Sequence, residues 1–193
     1  MDSNVKSFYT KHDGSQICQG DIFRDYMLPS WSIDDKGEPV RSQLKLLYII
    51  VLTQDCDLEA DFKNHINETG KQDAYLQSIL VCPAYPSESL KEGTHLSYLS
   101  LKMEQHKDKD RWDLIIGNRN HRYHYLEPNL DYQIPAVILD FKHYYTIPRN
   151  YMYNTFKVHY IGTINELFRE ALSQRFAFYL SRIGLPKCDK CSV

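Results

Sequence analysis

The sequence predicts a mainly β domain of the α+β class, a small β-barrel with a helical insertion and a C-terminal amphipathic helix. Three observations predict it. Aromatic residues are abundant, with 15 Tyr and 8 Phe against 2 Trp, and such side chains favour pleated, half-buried surfaces. Short apolar runs recur between turn-forming residues, as in strands laid down in series. The clearest helical stripe lies at the end of the chain.

The 193 residues fit one domain, long enough to bury roughly 70% of the unfolded surface without disulfide or metal. The expected layout is a barrel over residues 15–161 with an insertion at about 87–113, a helix over 163–184, and a flexible tail over 187–193. A net charge of −2 excludes a broadly basic surface, so any nucleic-acid contact must come from a local patch. The polar start of the chain has no apolar leader, and the run Leu44–Leu52 is interrupted by Lys45. It falls far short of the ~20 residues that span a bilayer. With five cysteines, an odd number, the expectation is a cytoplasmic protein with reduced thiols and no membrane contact.

Gly20-Asp21-Ile22-Phe23 opens the strands, and Pro29 is expected to end the first of them. Asp34-Asp35-Lys36-Gly37 reads as a turn, with glycine where positive φ is needed. Leu46 to Thr53 is the strongest strand, apolar enough to be buried on both faces. Asp57 is placed to cap a short helix starting at Leu58. Residues 67–73 form a loop around Gly70. Leu76 to Cys82 is the second core strand, stopped by Pro83 and Pro86.

Leu96, Leu99 and Met103 have helical spacing, and the charged run 106–111 reads as a solvated connection. Strands resume at 123–126, 136–141, 143–147 and 156–161. Thr163-Ile164-Asn165-Glu166 matches a capping box. Phe168, Leu172, Phe176, Tyr179 and Ile183 then share one helical face. Gly184 and Pro186 close the helix, which is predicted over Thr163–Ile183.

Several of these stretches, in this order, resemble the PemK/MazF-type toxin family of SH3-like barrels. Gln19-Gly20-Asp21-Ile22-Phe23 is similar to the family's Gly-Asp-Ile start, and Ile50-Val51-Leu52-Thr53 to its core strand with a polar end. Ser78 to Pro86 resembles the following strand and turn. Ala136 to Asp140 and Tyr145-Thr146-Ile147 resemble the late strands. The resemblance covers about two thirds of the chain by motif order. It implies a toxin-like barrel acting on single-stranded RNA, a metal-independent endoribonuclease or a degenerate form of one. The family's Arg-Pro pair before the core strand is absent, since Leu47 and Tyr48 occupy that place. The second strand ends in Cys82-Pro83-Ala84, without the family's threonine.

Three constellations carry chemistry. Thr53-Gln54-Asp55-Cys56-Asp57 follows the buried strand, where a rigid scaffold commonly presents functional groups. Thr53, Asp55 and Cys56 are the candidate catalytic residues, and a reactive Cys56 requires a neighbouring histidine such as His65 or His124. The same residues also read as a turn with a buried cysteine and an aspartate helix cap. The stretch 118–125 is a basic–aromatic cluster, and Arg119, Arg122, His124 and Tyr125 are the candidate nucleic-acid contacts. It also reads as a barrel strand with tyrosines inward.

Cys188-Asp189-Lys190-Cys191 has C-x-x-C spacing but supplies only two of the four ligands of a structural zinc, so no metal and no cofactor is expected. The partners to expect are single-stranded RNA, or a protein such as an antitoxin-like neighbour if the domain is a non-catalytic interaction module. A homodimer is the assembly to test. A thiol enzyme built on Cys56 is the third reading.

Overall fold

The structure of the protein is a computed structural model that describes residues 7–67 and 72–182. Its strands are β1 (Tyr9–Thr10), β2 (Asp21–Ile33), β3 (Pro39–Val51), β4 (Ser78–Pro86), β5 (Tyr123–Leu126), β6 (Val137–Asp140), β7 (Tyr145–Pro148) and β8 (Tyr160–Ile164). Its helices are α1 (Asp55–Asn67), α2 (Ser87–Lys91), α3 (Lys109–Ile116), α4 (Arg149–His159) and α5 (Glu166–Leu180), with a 3-10 turn over Ser97–Leu99. The fold is mixed α+β around one curled, antiparallel, eight-stranded sheet. The sheet runs β1-β8-β2-β3-β4-β6-β5, with β7 attached to β4. Among the described residues no helix is long and apolar enough to cross a membrane.

β3 contains most of the predicted Leu46–Thr53 strand but starts seven residues earlier, at Pro39, and ends at Val51, and the stretch from Ile49 to Leu52 is buried on both faces. Alternation along β3 sends Ile49 and Val51 into one core cluster and Ile50 and Leu52 into the other. Leu58 of α1 with Met152 and Phe156 of α4 belongs to the first cluster, and Leu172 and Phe176 of α5 belong to the second. Helices therefore cover both faces of the sheet. A third cluster sets Leu90 of α2 and Ile115 of α3 against Tyr85, Tyr123 and Ile138.

Several boundaries differ from the sequence reading. β2 continues through Pro29 to Ile33 and pairs with β3 as a long ribbon, closing at Gly37 with φ +84°. β8 pairs only with Asp21 to Phe23, so Pro29 lies on an edge, where proline is tolerated. β4 likewise runs through Pro83. Its pairing with β7 ends at Val81 and its pairing with β6 begins at Ala84. The missing N–H of Pro83 falls in the gap where β4 changes partner.

The predicted strand 156–161 is instead the end of α4 followed by β8. Met152 and Phe156, four residues apart, are the buried positions of that helix. Residues 96–103 hold only the 3-10 turn, while the charged run supplies α3, capped by the Asp108 carboxylate accepting from Arg111 N–H at 3.0 Å. The insertion therefore extends to residue 116. α1 starts at Asp55 rather than at Leu58.

The capping box at Thr163 does not form. Thr163 lies in β8 and its hydroxyl donates to Asp21 Oδ1 at 2.7 Å, so α5 begins at Glu166 after Asn165, with no side-chain cap. The predicted helix end at Ile183 and the tail pair Cys188 and Cys191 lie outside the described residues, as do residues 68–71 of the predicted Gly70 loop.

Candidate functional site

Pairing of Tyr48 with Ala84 sets the outer half of β3 beside the end of β4. The chain then turns through α2 and returns over this edge at residues 94–98. Between the two lies a pocket of about 350 Å³ lined by Tyr48, Tyr85, Ser89, Thr94, His95 and Tyr98, with Lys45 at its rim. Three tyrosines and few polar groups make it the kind of mostly apolar, concave site that takes small planar groups.

His95 is its distinctive member. The side chain is buried, at 7% exposure, with its ring 4.8 Å from that of Tyr85. Both ring nitrogens are buried without a hydrogen bond of good geometry, the Ser89 backbone being the nearest group that acts on the ring. Burial holds its pKa below the ordinary histidine value, with Asp140 opposing that shift and His143 adding to it. The imidazole is therefore neutral at neutral pH, with one nitrogen a donor and the other an acceptor.

Behind the pocket wall the Tyr85 hydroxyl is 3.2 Å from His143 Nδ1, which is 3.4 Å from Asp140 Oδ2. Asp140 is fully buried and receives Arg122 as a fork, Nε to Oδ1 at 2.7 Å and Nη2 to Oδ2 at 2.5 Å. Lys142 N–H adds a further bond to Oδ1 at 3.1 Å. The guanidinium also sits over the Tyr123 ring at 4.9 Å, and His106 meets the same ring edge-on at 5.6 Å. Burial lowers the pKa of both His143 and His106. Tyr85 thus joins the open pocket to a tightly paired charged group.

The residues singled out from sequence occupy separate networks. Thr53 Oγ1 accepts from Leu80 N–H at 2.7 Å, joining the end of β3 to β4. Asp55 accepts from Gln19 N–H at 2.6 Å and pairs with Arg169 of α5 at 2.5 Å. Cys56 is exposed in the first turn of α1, its sulfur 3.6 Å from Gln54 Oε1 and 3.8 Å from Asp57 Oδ1. His65 lies nine residues along the same helix, about 13 Å of rise away, stacked on Tyr75 and beside Asp61.

His124 is buried and accepts at Nδ1 from Arg175 of α5. Arg119 is exposed, with one weak bond to Asp113 O at 3.4 Å. Tyr125 is half-buried, and its backbone is held by the Asn118 side chain. With Tyr123 in the third cluster, Tyr125 packed against it and Leu126 in the core on the opposite face, β5 presents no open row of basic and aromatic side chains.

Sequence reasoning missed Tyr48, Tyr85, His95 and Tyr98 as a group. They come from β3, β4 and the 94–98 return, and the only sequence signal was the surplus of tyrosine and histidine. Neither any family model nor any curated protein matches the chain.

Proposed function

We propose that the protein binds single-stranded RNA by seating one unpaired base in the pocket between β3, β4 and residues 94–98. The carrying observation is the concave, mostly apolar pocket itself, walled by Tyr48, Tyr85 and Tyr98 around the buried His95. Tyrosine faces stack on bases, and an imidazole edge pairs with base edges. The resemblance of several sequence stretches, in order, to the PemK/MazF-type toxins supports RNA as the polymer. Binding rather than cleavage is the activity this reading favours. A scissile phosphate needs a free cation, and the Arg122 charge is engaged by Asp140.

Fluorescence anisotropy with short single-stranded RNA tests the reading. Base–aromatic stacking is worth about 1–3 kcal/mol per base, so Tyr98→Ala should weaken binding about fivefold or more. His95→Ala should weaken it as well while changing base preference. Wild-type affinity in both variants, or no affinity above background, overturns the proposal.

The second reading is a protein-interaction module, favoured by the tip of the β2–β3 ribbon. Trp31 and Ile33, both largely exposed, share one face there with Pro39 and Arg41 opposite. A partner lost in Trp31→Ala/Ile33→Ala, with RNA affinity at background, selects that reading.

A further inference from the structure

A second polar group, independent of the RNA reading, lies at the entry to β2. Gly20, at φ +83°, turns the chain there, and a Cβ would lie 3.2 Å from Ile164 Cβ and 3.3 Å from Arg169 Cβ. The turn delivers the Asp21 carboxylate inward, fully buried. Asp21 Oδ2 accepts from Cys18 N–H at 2.8 Å. Oδ1 accepts from Thr163 Oγ1 at 2.7 Å and lies 2.9 Å from His12 Nε2. The Tyr160 hydroxyl is 2.7 Å from Thr163 Oγ1 and accepts from His12 N–H at 3.1 Å. One donor atom each from His12, Cys18 and Asp21 lies within 4.8 Å of the others.

This is a thiol, an imidazole and a carboxylate brought to one point by β8 and the turn before β2. The Cys18 N–H and the Thr163 hydroxyl orient the carboxylate as an outer shell orients a metal ligand, while the second Oδ1 lone pair accepts from His12. His12 and Cys18 are only half-buried, and the rings of Tyr160 and Phe156 pack beside His12 at 4.8 and 5.7 Å. Asp13 and Asp55 add negative potential at His12 and at Cys18, and only Arg169 opposes it at the sulfur.

We propose that His12, Cys18 and Asp21 hold one zinc-class transition-metal ion, tetrahedral, with water in the fourth position. The thiolate selects against magnesium and calcium, which take oxygen ligands. Zinc bond lengths of about 2.0–2.3 Å place tetrahedral ligand atoms about 3.3–3.7 Å apart. The pocket therefore contracts at its widest pair, and the His12–Asp21 pair opens slightly.

The proton balance is definite. Gly14 N–H donates to His12 Nδ1 at 3.2 Å, so the ring proton is on Nε2, between His12 and Asp21. On binding, that proton moves to Nδ1 and Gly14 N–H gives up its bond. The Cys18 thiol proton is released to solvent. The metal is not reduced or oxidised.

Cobalt(II) titration of the full chain carrying Cys188→Ser and Cys191→Ser tests the site without the tail thiols. The expected result is one ion per chain, tetrahedral visible bands, a thiolate-to-cobalt charge-transfer band in the near ultraviolet, and displacement by zinc. Cys18→Ser in the same background should abolish the charge-transfer band. His12→Gln should weaken binding about tenfold or more. Asp21 also holds the fold, so the thiol carries the test, and circular dichroism checks that each variant is folded. Absence of the band, its persistence in Cys18→Ser, or its loss only in Cys56→Ser overturns the proposal.

Discussion

Arg175 of the terminal helix donates through Nε to His124 Nδ1 at 3.0 Å, fixing a cation on a buried imidazole of β5. The same guanidinium bonds Asn120 O at 2.6 Å, Tyr123 O at 2.7 Å and Asn118 O, so it also gathers the turn that leads into the strand. Burial first, and Arg175 second, push the His124 pKa down to about 3.

That shift fixes the sign of a pH effect. The unfolded chain protonates His124 below its ordinary value of about 6.5, and the folded chain does not until about pH 3. Stability is therefore lost as pH falls through this window, by about 1.4 kcal/mol per pH unit from this group alone. His95, His106 and His143 are shifted in the same direction, and His12, raised by its bond to Asp21, in the opposite one. Urea unfolding at pH 7 and pH 5 should show His124→Gln losing about 2 kcal/mol less than wild type. Equal losses in the two proteins would refute the assignment.

The Arg122–Asp140 fork should be a folding determinant. Asp140 is fully buried while the Arg122 side chain keeps 30% exposure. Removing the cation leaves a buried carboxylate supported chiefly by Lys142 N–H, and breaking such a pair costs about 3–5 kcal/mol. Asp140→Asn leaves an unpaired guanidinium that can turn towards water, so it should cost less than Arg122→Ala. Denaturant midpoints of the two variants check the order, and the reverse order contradicts the burial argument.

Phe176 anchors α5 on the sheet, edge-on to Phe141 at 5.5 Å and to Tyr144 at 5.8 Å. Truncating a buried phenylalanine to alanine costs about 3–5 kcal/mol. Phe176→Ala should lower the denaturation midpoint accordingly. An unchanged midpoint would mean that α5 is peripheral to the fold.

Local signals carried much of the architecture. The apolar run marked the inner part of β3 because the neighbours of Ile49 to Leu52 on both faces are apolar, and Gly37 announced the ribbon turn through its positive φ. α4 was hidden because Tyr151, Tyr153, Val158 and Tyr160 give the stretch a strand-like composition, while only Met152 and Phe156 of the helix are fully buried and the tyrosines pack against the core from its margin. Thr163 shows the limit of motif reading. Thr-x-x-Glu is present, but the hydroxyl is claimed by Asp21, 142 residues away in sequence. The tyrosine–histidine pocket was illegible for the same reason, since its walls meet only after β3 and β4 pair. His12, Cys18 and Asp21 lie within ten residues, yet their spacing matches no familiar ligand motif.

Thiol reactivity separates the remaining reading of Cys56 as a catalytic nucleophile from that of an ordinary surface cysteine. Cys56 is exposed, Cys18 is half-buried, and Cys82 is fully buried. The Cys82 sulfur lies 3.4 Å from both Asp140 O and His143 O, and burial raises its pKa well above the ordinary range. The nearest polar partners of Cys56 are an amide oxygen and a carboxylate oxygen. Among the described residues no imidazole is hydrogen-bonded to Cys56 to take its proton. In the Cys188→Ser/Cys191→Ser background, iodoacetamide should therefore modify Cys56 first, Cys18 more slowly, and Cys82 only after unfolding. The Cys56 rate at neutral pH is the deciding readout, and it should match that of a cysteine in a short unstructured peptide. A rate about a hundredfold or more above the peptide's would require an activating group beside Cys56, and would restore the thiol-enzyme reading.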